Sequence, residues 1–495
     1  MAGVTSRIRN VIFIVSDTLR RDHLGCYGNA WIKTPNLDKF ASMSVVFDRA
    51  YLHNFPTVPA RTDFYTGRYT GAYLDWQPLS RDEVVLAQSL GSAGVTTFLV
   101  GDTYNLFRDG YHFDRGFTGF EWIRGNGADR WQTNPKEPKL SADPSKLFDV
   151  NGYHKLYLRN AAWRRGEEDY AMVRTMRRAA EWLGSNMNEG PFFLNVDTFD
   201  PHEPWDPPEW YVDLYDPAYQ GQSVIQPQYA PIDFLSSAEL RHCQALYAGT
   251  VTMVDTWLGH LLQRIEALGL LETTAVIFTS DHGFYLGEHG WIGKSRIMAG
   301  HQHFLPLYEE LAHVPLIVYA PGLKPGRTDH IVQPPDLSPT IHELLGVDIP
   351  DTVQGRSWAP LLNGHGEPSR EFAWSGPAVH HPGRWRPSTI TSSEWALIFN
   401  GSMLDPKQDW AVWAVDGAYR QELTPSQDTV GNLVTTPQLY HLKDDPKQVV
   451  NVIEQYPEIA RDLHAKYIRH LEDLGVPEPA LELRRHLSLS DGDRP

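Results

Sequence analysis

The chain has 495 residues, with 41% hydrophobic and 21% charged side chains, enough for a normal core and for two domains or one large domain with an appendage. Its formal charge of −17 argues against a nucleic-acid partner, which would select a basic face, although a basic pocket can sit in an acidic protein. Two cysteines, Cys26 and Cys243, exclude a disulfide framework, and no CxxC pair suggests zinc.

The first apolar run, Val11–Val15, reads as a buried strand. It is too short for a signal h-region and ends at Ser16-Asp17 instead of a cleavage site. No segment has the apolar length of a membrane span. The expectation is a cytoplasmic protein without a membrane partner, its oligomeric state left open. Thr96–Val100 is the next strand, followed by Gly101-Asp102-Thr103-Tyr104. Trp131–Ser145, with Pro135, Pro138 and Pro144, reads as a long surface loop. The strand Phe192–Val196 leads into Asp197-Thr198-Phe199-Asp200-Pro201-His202. Glu239–Leu268 has the three- and four-residue apolar spacing of an amphipathic helix. Ala275–Thr279 is a strand followed by Ser280-Asp281-His282-Gly283, and Leu316–Tyr319 is a fifth. The pattern changes near Gly364–Ser369, which divides the chain into a catalytic unit, 1–368, and a C-terminal subdomain, 369–495. Beyond that point "WALIFNG", "WAVWAVDG" and "PQLYHLKDDP" read as antiparallel strands. Pro457–Leu474 reads as a helix with Ile459, Leu463, Ile468 and Leu471 on its apolar side.

Strands alternating with helices predict a largely parallel sheet covered on both faces. Ligands of such sheets bind at the carboxyl ends of the strands. Four of the five predicted strands end in metal-competent side chains, so one shared site is expected. Asp17, Asp281 and His282 suit a divalent cation such as Mg²⁺, Mn²⁺, Ca²⁺ or Zn²⁺. Taken singly, each residue has a blander reading: a helix cap for Asp17, a turn for Asp281-His282-Gly283, a surface ion pair for Arg61, a loop residue for His202, a solvated side chain for Lys294. Their combination and order carry the functional reading.

In that order the motifs resemble the sulfatase family of the alkaline phosphatase superfamily, including its phosphonate monoester hydrolases. "VIFIVSDTLRRDHLGCYGN" is similar to the first strand and metal loop, and "KTPNLDKFASMSVVFDRAY" to the helix and strand that follow. "TVPARTDFYTGR" matches the nucleophile signature except at its first position. "DPHEPW" matches a substrate-side histidine segment, "SDHGFYLGEHGWIGK" the second metal loop and its lysine, and "QLYHLKDDPKQVVNV" the C-terminal subdomain. The resemblance implies a large α/β/α sandwich with a mostly parallel sheet and a smaller antiparallel C-terminal sheet. It implies one divalent metal held by Asp17, Asp281, His282 and Thr57. Thr57 would be the nucleophile, Arg61 would stabilise that loop and the bound anion, and His202 and Lys294 would contact the ester. The substrate would be a small anionic ester.

The departures from the pattern are informative. Sulfatases oxidise Cys or Ser to formylglycine, and threonine would give a ketone instead of an aldehyde. Thr57 can act only as an alkoxide, which favours phosphoryl transfer. A cysteine exchanged for threonine by design would leave the same pattern. Thr18 stands where the family usually has a second Asp. Asp102-Thr103-Tyr104 stands where sulfatases often have Lys-x-His. Tyr104 is a candidate hydrogen-bond donor to the substrate. Asp102 adds negative charge, which a second metal could offset, with Asp197, Asp200, His202, His301 and His303 as a loose ligand pool; "AGHQHF" otherwise reads as an exposed loop. The expected function is metal-dependent hydrolysis of phosphate or phosphonate esters. The alternatives are a sulfatase and an anion-binding pseudoenzyme.

Overall fold

Apolar runs that alternate with amphipathic helices build one twisted sheet between two helical layers. A computed structural model describes residues 8–298, 301–362, 370–380, 386–400 and 436–489. The main sheet contains β1 (Asn10–Ser16), β2 (Val45–Ala50), β3 (Thr96–Gly101), β4 (Gly119–Trp122), β5 (Phe192–Thr198), β6 (Thr274–Thr279), β7 (Leu316–Tyr319) and β8 (Gly326–Val332). Their spatial order is β8-β2-β7-β6-β1-β5-β3-β4. β1 is central and parallel to both neighbours, with Val11 opposite Phe193 on one side and Ala275 on the other. Only β7 is reversed, running antiparallel to β6 and β2.

All five predicted strands are present. The reversal of β7 explains why it alone lacks a ligand-bearing tail, because its carboxyl end lies at the opposite edge of the sheet. β4 and β8 escaped the periodicity reading because they are edge strands: Phe120 is exposed on β4, and β8 is largely polar.

Every residue of β1 is buried, and alternate side chains enter different cores. Ile12 and Ile14 pack with α1 (Pro35–Ser42), α3 (Ala171–Asn186) and α4 (Ser237–Ala267), through residues such as Leu37, Met176 and Leu258. Val11, Phe13 and Val15 pack with α2 (Thr57–Thr66) and α5 (Leu337–Leu345), through Val58, Phe64 and Ile341. Each such side chain contributes about 1.5–3 kcal/mol on burial, so the two cores fix where the strand ends lie. α4 starts two residues before the predicted boundary because Ser236 and Glu239 form a capping box: Glu239 N donates to Ser236 Oγ at 3.2 Å and Ser236 N to Glu239 Oε2 at 2.9 Å. Residues 131–143 carry no helix or strand before a short 3₁₀ turn at Pro144–Lys146.

A second sheet of β9 (Phe372–Ser375), β10 (Pro387–Ser392), β11 (Trp395–Asn400) and β12 (Gln438–His441) is antiparallel throughout. α6 (Pro457–Asp473) covers it, with Leu463 and Leu471 buried and Ile459 and Ile468 packed at the margin. The "WAVWAVDG" stretch and the 368/369 boundary lie outside the described residues. Among the described residues no helix is long and apolar enough to cross a membrane. Cys26 and Cys243 are both free thiols.

Candidate active site

The carboxyl end of β1 delivers Asp17, and that of its neighbour β6 delivers Asp281 and His282. One ligand atom from each lies within 4.8 Å of the others, and all three side chains are buried. Thr18 takes φ 62°, which points its N–H at Asp281 Oδ1 at 2.9 Å, while its Oγ1 donates to Asp17 Oδ1 at 2.7 Å. The residue that replaces a second Asp therefore orients both carboxylates instead of adding a third. His282 Nδ1 donates to Gly283 O at 2.9 Å, a tautomer assigned from that bond, which leaves the Nε2 lone pair facing the cluster.

Arg61 lies on α2, one turn beyond Thr57. Its Nε and Nη2 donate to the two carboxylate oxygens of Asp197, at 3.0 Å each. Nη1 bonds Asp281 Oδ2 and lies 3.0 Å from Asp17 Oδ2. That last approach is an ion pair out of line for hydrogen bonding, so Asp17 Oδ2 is buried without a hydrogen-bond partner. Burial, then the neighbouring Asp281 charge, pushes the Asp17 pKa up. At Asp281 burial acts the same way, but Arg61 and then His282 outweigh it and hold the carboxyl below its usual range. Burial pushes His282 down to about 3, so the imidazole is neutral. Two hard carboxylates, a neutral imidazole with Nε2 turned into the cluster and an orphaned carboxylate oxygen fit a divalent cation.

Thr57 opens α2, and its Oγ1 lies 3.4 Å from His282 Nε2. Lys294 Nζ lies 2.8 Å from His202 Nε2 and 3.4 Å from His282 Nε2. His202 Nδ1 donates to Glu203 O at 2.7 Å, so Nε2 accepts from Lys294. Burial and then the Lys294 charge hold His202 well below its ordinary pKa. Asp17, Thr57, Arg61, His202, Asp281, His282 and Lys294 thus form one buried cluster. Tyr104 lies among aromatic side chains. Its half-buried ring meets Phe199 at 5.6 Å and Tyr153 at 6.3 Å, and Phe199 stacks on His202 at 4.1 Å.

The loose second-metal pool does not assemble among the described residues, where Asp17, Asp281 and His282 are the only group of three. Asp197 is taken by Arg61 and by Thr103 Oγ1, which donates to it at 2.5 Å. Asp200 accepts from Asn126 Nδ2 at 3.2 Å. The "AGHQHF" stretch is no exposed loop at 301–304: it forms a strand paired with Ser295–Met298, placing a buried His303 opposite Arg296. Asp102 is bonded by Thr175 Oγ1 at 3.0 Å and Phe199 N at 2.5 Å, and burial, then Asp200, pushes it up to about 8. It ties the end of β3 to the end of β5. The partnership of Asp197 with Arg61 was missed because nothing local distinguishes a metal-ligating Asp from one that braces an arginine.

A strand-end cluster of this kind, on a mixed sheet with an antiparallel C-terminal sheet, defines a hydrolase of the alkaline phosphatase superfamily. The chain belongs to the sulfatase family, whose family model matches residues 9–347. It is 25% identical over 409 residues to an arylsulfatase of Clostridium perfringens, covering 73% of this chain and 80% of that protein. It is 25% identical over 432 residues to an N-acetylglucosamine-6-O-sulfatase of Bacteroides thetaiotaomicron, covering 75% and 74%. Among solved structures, a phosphonate monoester hydrolase of Agrobacterium radiobacter superposes with a TM-score of 0.67 at 21% identity, over 94% of this chain and 95% of that one. The chain is accordingly an ester-hydrolysing enzyme.

Proposed function

We propose that the enzyme hydrolyses phosphate or phosphonate esters with Thr57 as its nucleophile. The observation that carries this reading is a threonine at the signature position with its Oγ1 3.4 Å from His282 Nε2. A divalent ion held by Asp17, Asp281, His282 and Thr57 would lower the hydroxyl pKa and neutralise charge on the attacked group. Arg61, fixed by Asp197, holds the nucleophile turn and faces the anion. Thr57 Oγ1 gives its proton to solvent and bonds to phosphorus as the ester P–O bond breaks, and the leaving oxygen keeps the electron pair. The His202–Lys294 pair holds a proton for that oxygen. Water then attacks the phosphorus, the P–Oγ1 bond breaks, and a proton of that water restores the Thr57 hydroxyl. Of the three carboxylates Asp17, Asp197 and Asp281, Arg61 and Lys294 balance two, and a divalent cation would offset the third together with a Thr57 alkoxide.

Sulfate-ester hydrolysis is the second reading, favoured by the sulfatases among the relatives, including the two named above. Against it, a sulfated threonine lacks the elimination route of a formylglycine hydrate. The test is the ratio of phosphorus-ester to sulfate-ester turnover in the unmodified enzyme, together with Thr57→Ala. Phosphorus esters should turn over faster, and Thr57→Ala should lose on the order of 10⁴ in kcat. Faster sulfate turnover, or a Thr57→Ala variant that keeps phosphorus-ester activity, would remove the assignment.

A further inference from the structure

Glu203 is a carboxyl with 1% of its surface exposed, one residue beyond His202. Its Oε1 accepts the Tyr229 hydroxyl. Its Oε2 has no hydrogen-bond partner and lies 3.2 Å from His202 Nδ1. A buried carboxyl with an unsatisfied oxygen costs free energy unless something offsets it, and a neutral amide would fill the same space. Tyr229, in turn, brackets Lys294. Residue 230, next to it, pairs with Ile292, and Ile297 N donates to Tyr229 O at 3.1 Å. Gly293 takes φ 118°, and a Cβ there would lie 2.9 Å from the Tyr229 ring. The absence of a side chain at 293 lets Tyr229 pack against the backbone of the residue before Lys294. His202 and Lys294 come from distant segments, and the Glu203–Tyr229 bond ties the segment of His202 to the stretch that pairs with the residues flanking Lys294.

We infer that Glu203 is a positioning residue which, through Tyr229, registers His202 against Lys294 at the leaving-group side of the site. This rests on the proposed role of that pair in protonating the leaving oxygen. If Glu203 sets their placement, its loss harms a step that needs a proton and spares one that does not. A 4-nitrophenolate leaves without protonation, whereas a phenolate needs it more.

The test compares phenyl and 4-nitrophenyl esters of phenylphosphonic acid with the metal-loaded enzyme. Glu203→Ala should lower kcat on the order of 10² for the phenyl ester and less than about tenfold for the 4-nitrophenyl ester, with KM changed a few-fold at most. Glu203→Gln and Tyr229→Phe should show the same split at smaller size, and they decide the matter if Glu203→Ala fails to fold. Equal losses on both esters, or a change confined to KM, would overturn the inference. Such a result leaves the Thr57 assignment standing, because that is read from Thr57→Ala and the phosphorus-to-sulfate ratio.

Discussion

Arg61 and Asp197 meet through two parallel hydrogen bonds of 3.0 Å, Nε to Oδ2 and Nη2 to Oδ1, with neither side chain exposed beyond 1%. A guanidinium fork matched to a carboxylate is rigid as well as charged. It fixes the guanidinium one helical turn from Thr57 while Nη1 reaches the Asp17–Asp281 pair. Arg61→Lys keeps the charge and loses the fork, so kcat/KM should fall on the order of 10²–10³. Asp197→Ala strips the fork from a buried guanidinium, leaving Nε and Nη2 without their carboxylate, and should destabilise the fold by about 3–5 kcal/mol. Chemical denaturation reads the second effect; a loss below about 1 kcal/mol would show that the pair is not needed.

Metal content gives an independent reading of the Asp17–Asp281–His282 group. Elemental analysis should find about one divalent ion per chain after reconstitution, and Asp281→Ala should bind far less. Unfolding temperature should rise on adding the cation to the wild type and not to the variant. Two ions per chain, or unchanged content in Asp281→Ala, would contradict the three-ligand site.

Gly283 follows His282, and an added Cβ there would lie 1.8 Å from Glu310 O, a backbone atom that cannot swing aside. Gly283→Ala must push the turn away from Glu310 and carry His282 with it, since His282 Nδ1 is bonded to Gly283 O. Both metal affinity and kcat should drop, by tenfold or more as an order-of-magnitude estimate for a displaced ligand support. A variant with wild-type metal binding would mean the turn absorbs the methyl.

Asp102 predicts a pH dependence of stability. Its carboxyl is pushed from 3.8 up to about 8 by burial and by Asp200. Between those values the folded state holds a proton that the unfolded chain has lost, so this stabilisation is complete below about pH 4 and is lost as pH rises toward 8. The slope from this group is at most about 1.4 kcal/mol per pH unit. Asp102→Asn should flatten the decline in denaturation midpoint between pH 5 and pH 8. A variant that declines as steeply as wild type would place the effect elsewhere.

The amino-acid sequence by itself determined the buried strands, the long α4 helix and the strand-end residues Asp17, Asp281 and His282, while Thr57, Arg61, His202 and Lys294 came from the motifs that resemble the sulfatase family. Apolar runs and helical spacing are local signals, and strand-end polar residues in an open sheet converge by topology. It also determined that Thr57 cannot become an aldehyde, which is covalent chemistry and needs no fold. What only the tertiary structure decided is which partner each polar group keeps. Asp197 and Asp281 both follow or end strands of the same sheet, yet Asp197 meets both Nε and Nη2 of Arg61, whereas Asp281 takes only Nη1 and lies with Asp17 and His282. Asp102, which reads as an unfavourable charge facing the anion, turns instead toward Thr175 and the Phe199 amide. Tyr104 falls among aromatic rings, one ring removed from His202. The reversal of β7, the edge strands and the Glu203–Tyr229 link were equally hidden. Pairings across large sequence separations depend on the packing of both cores at once, and no short stretch of residues encodes them.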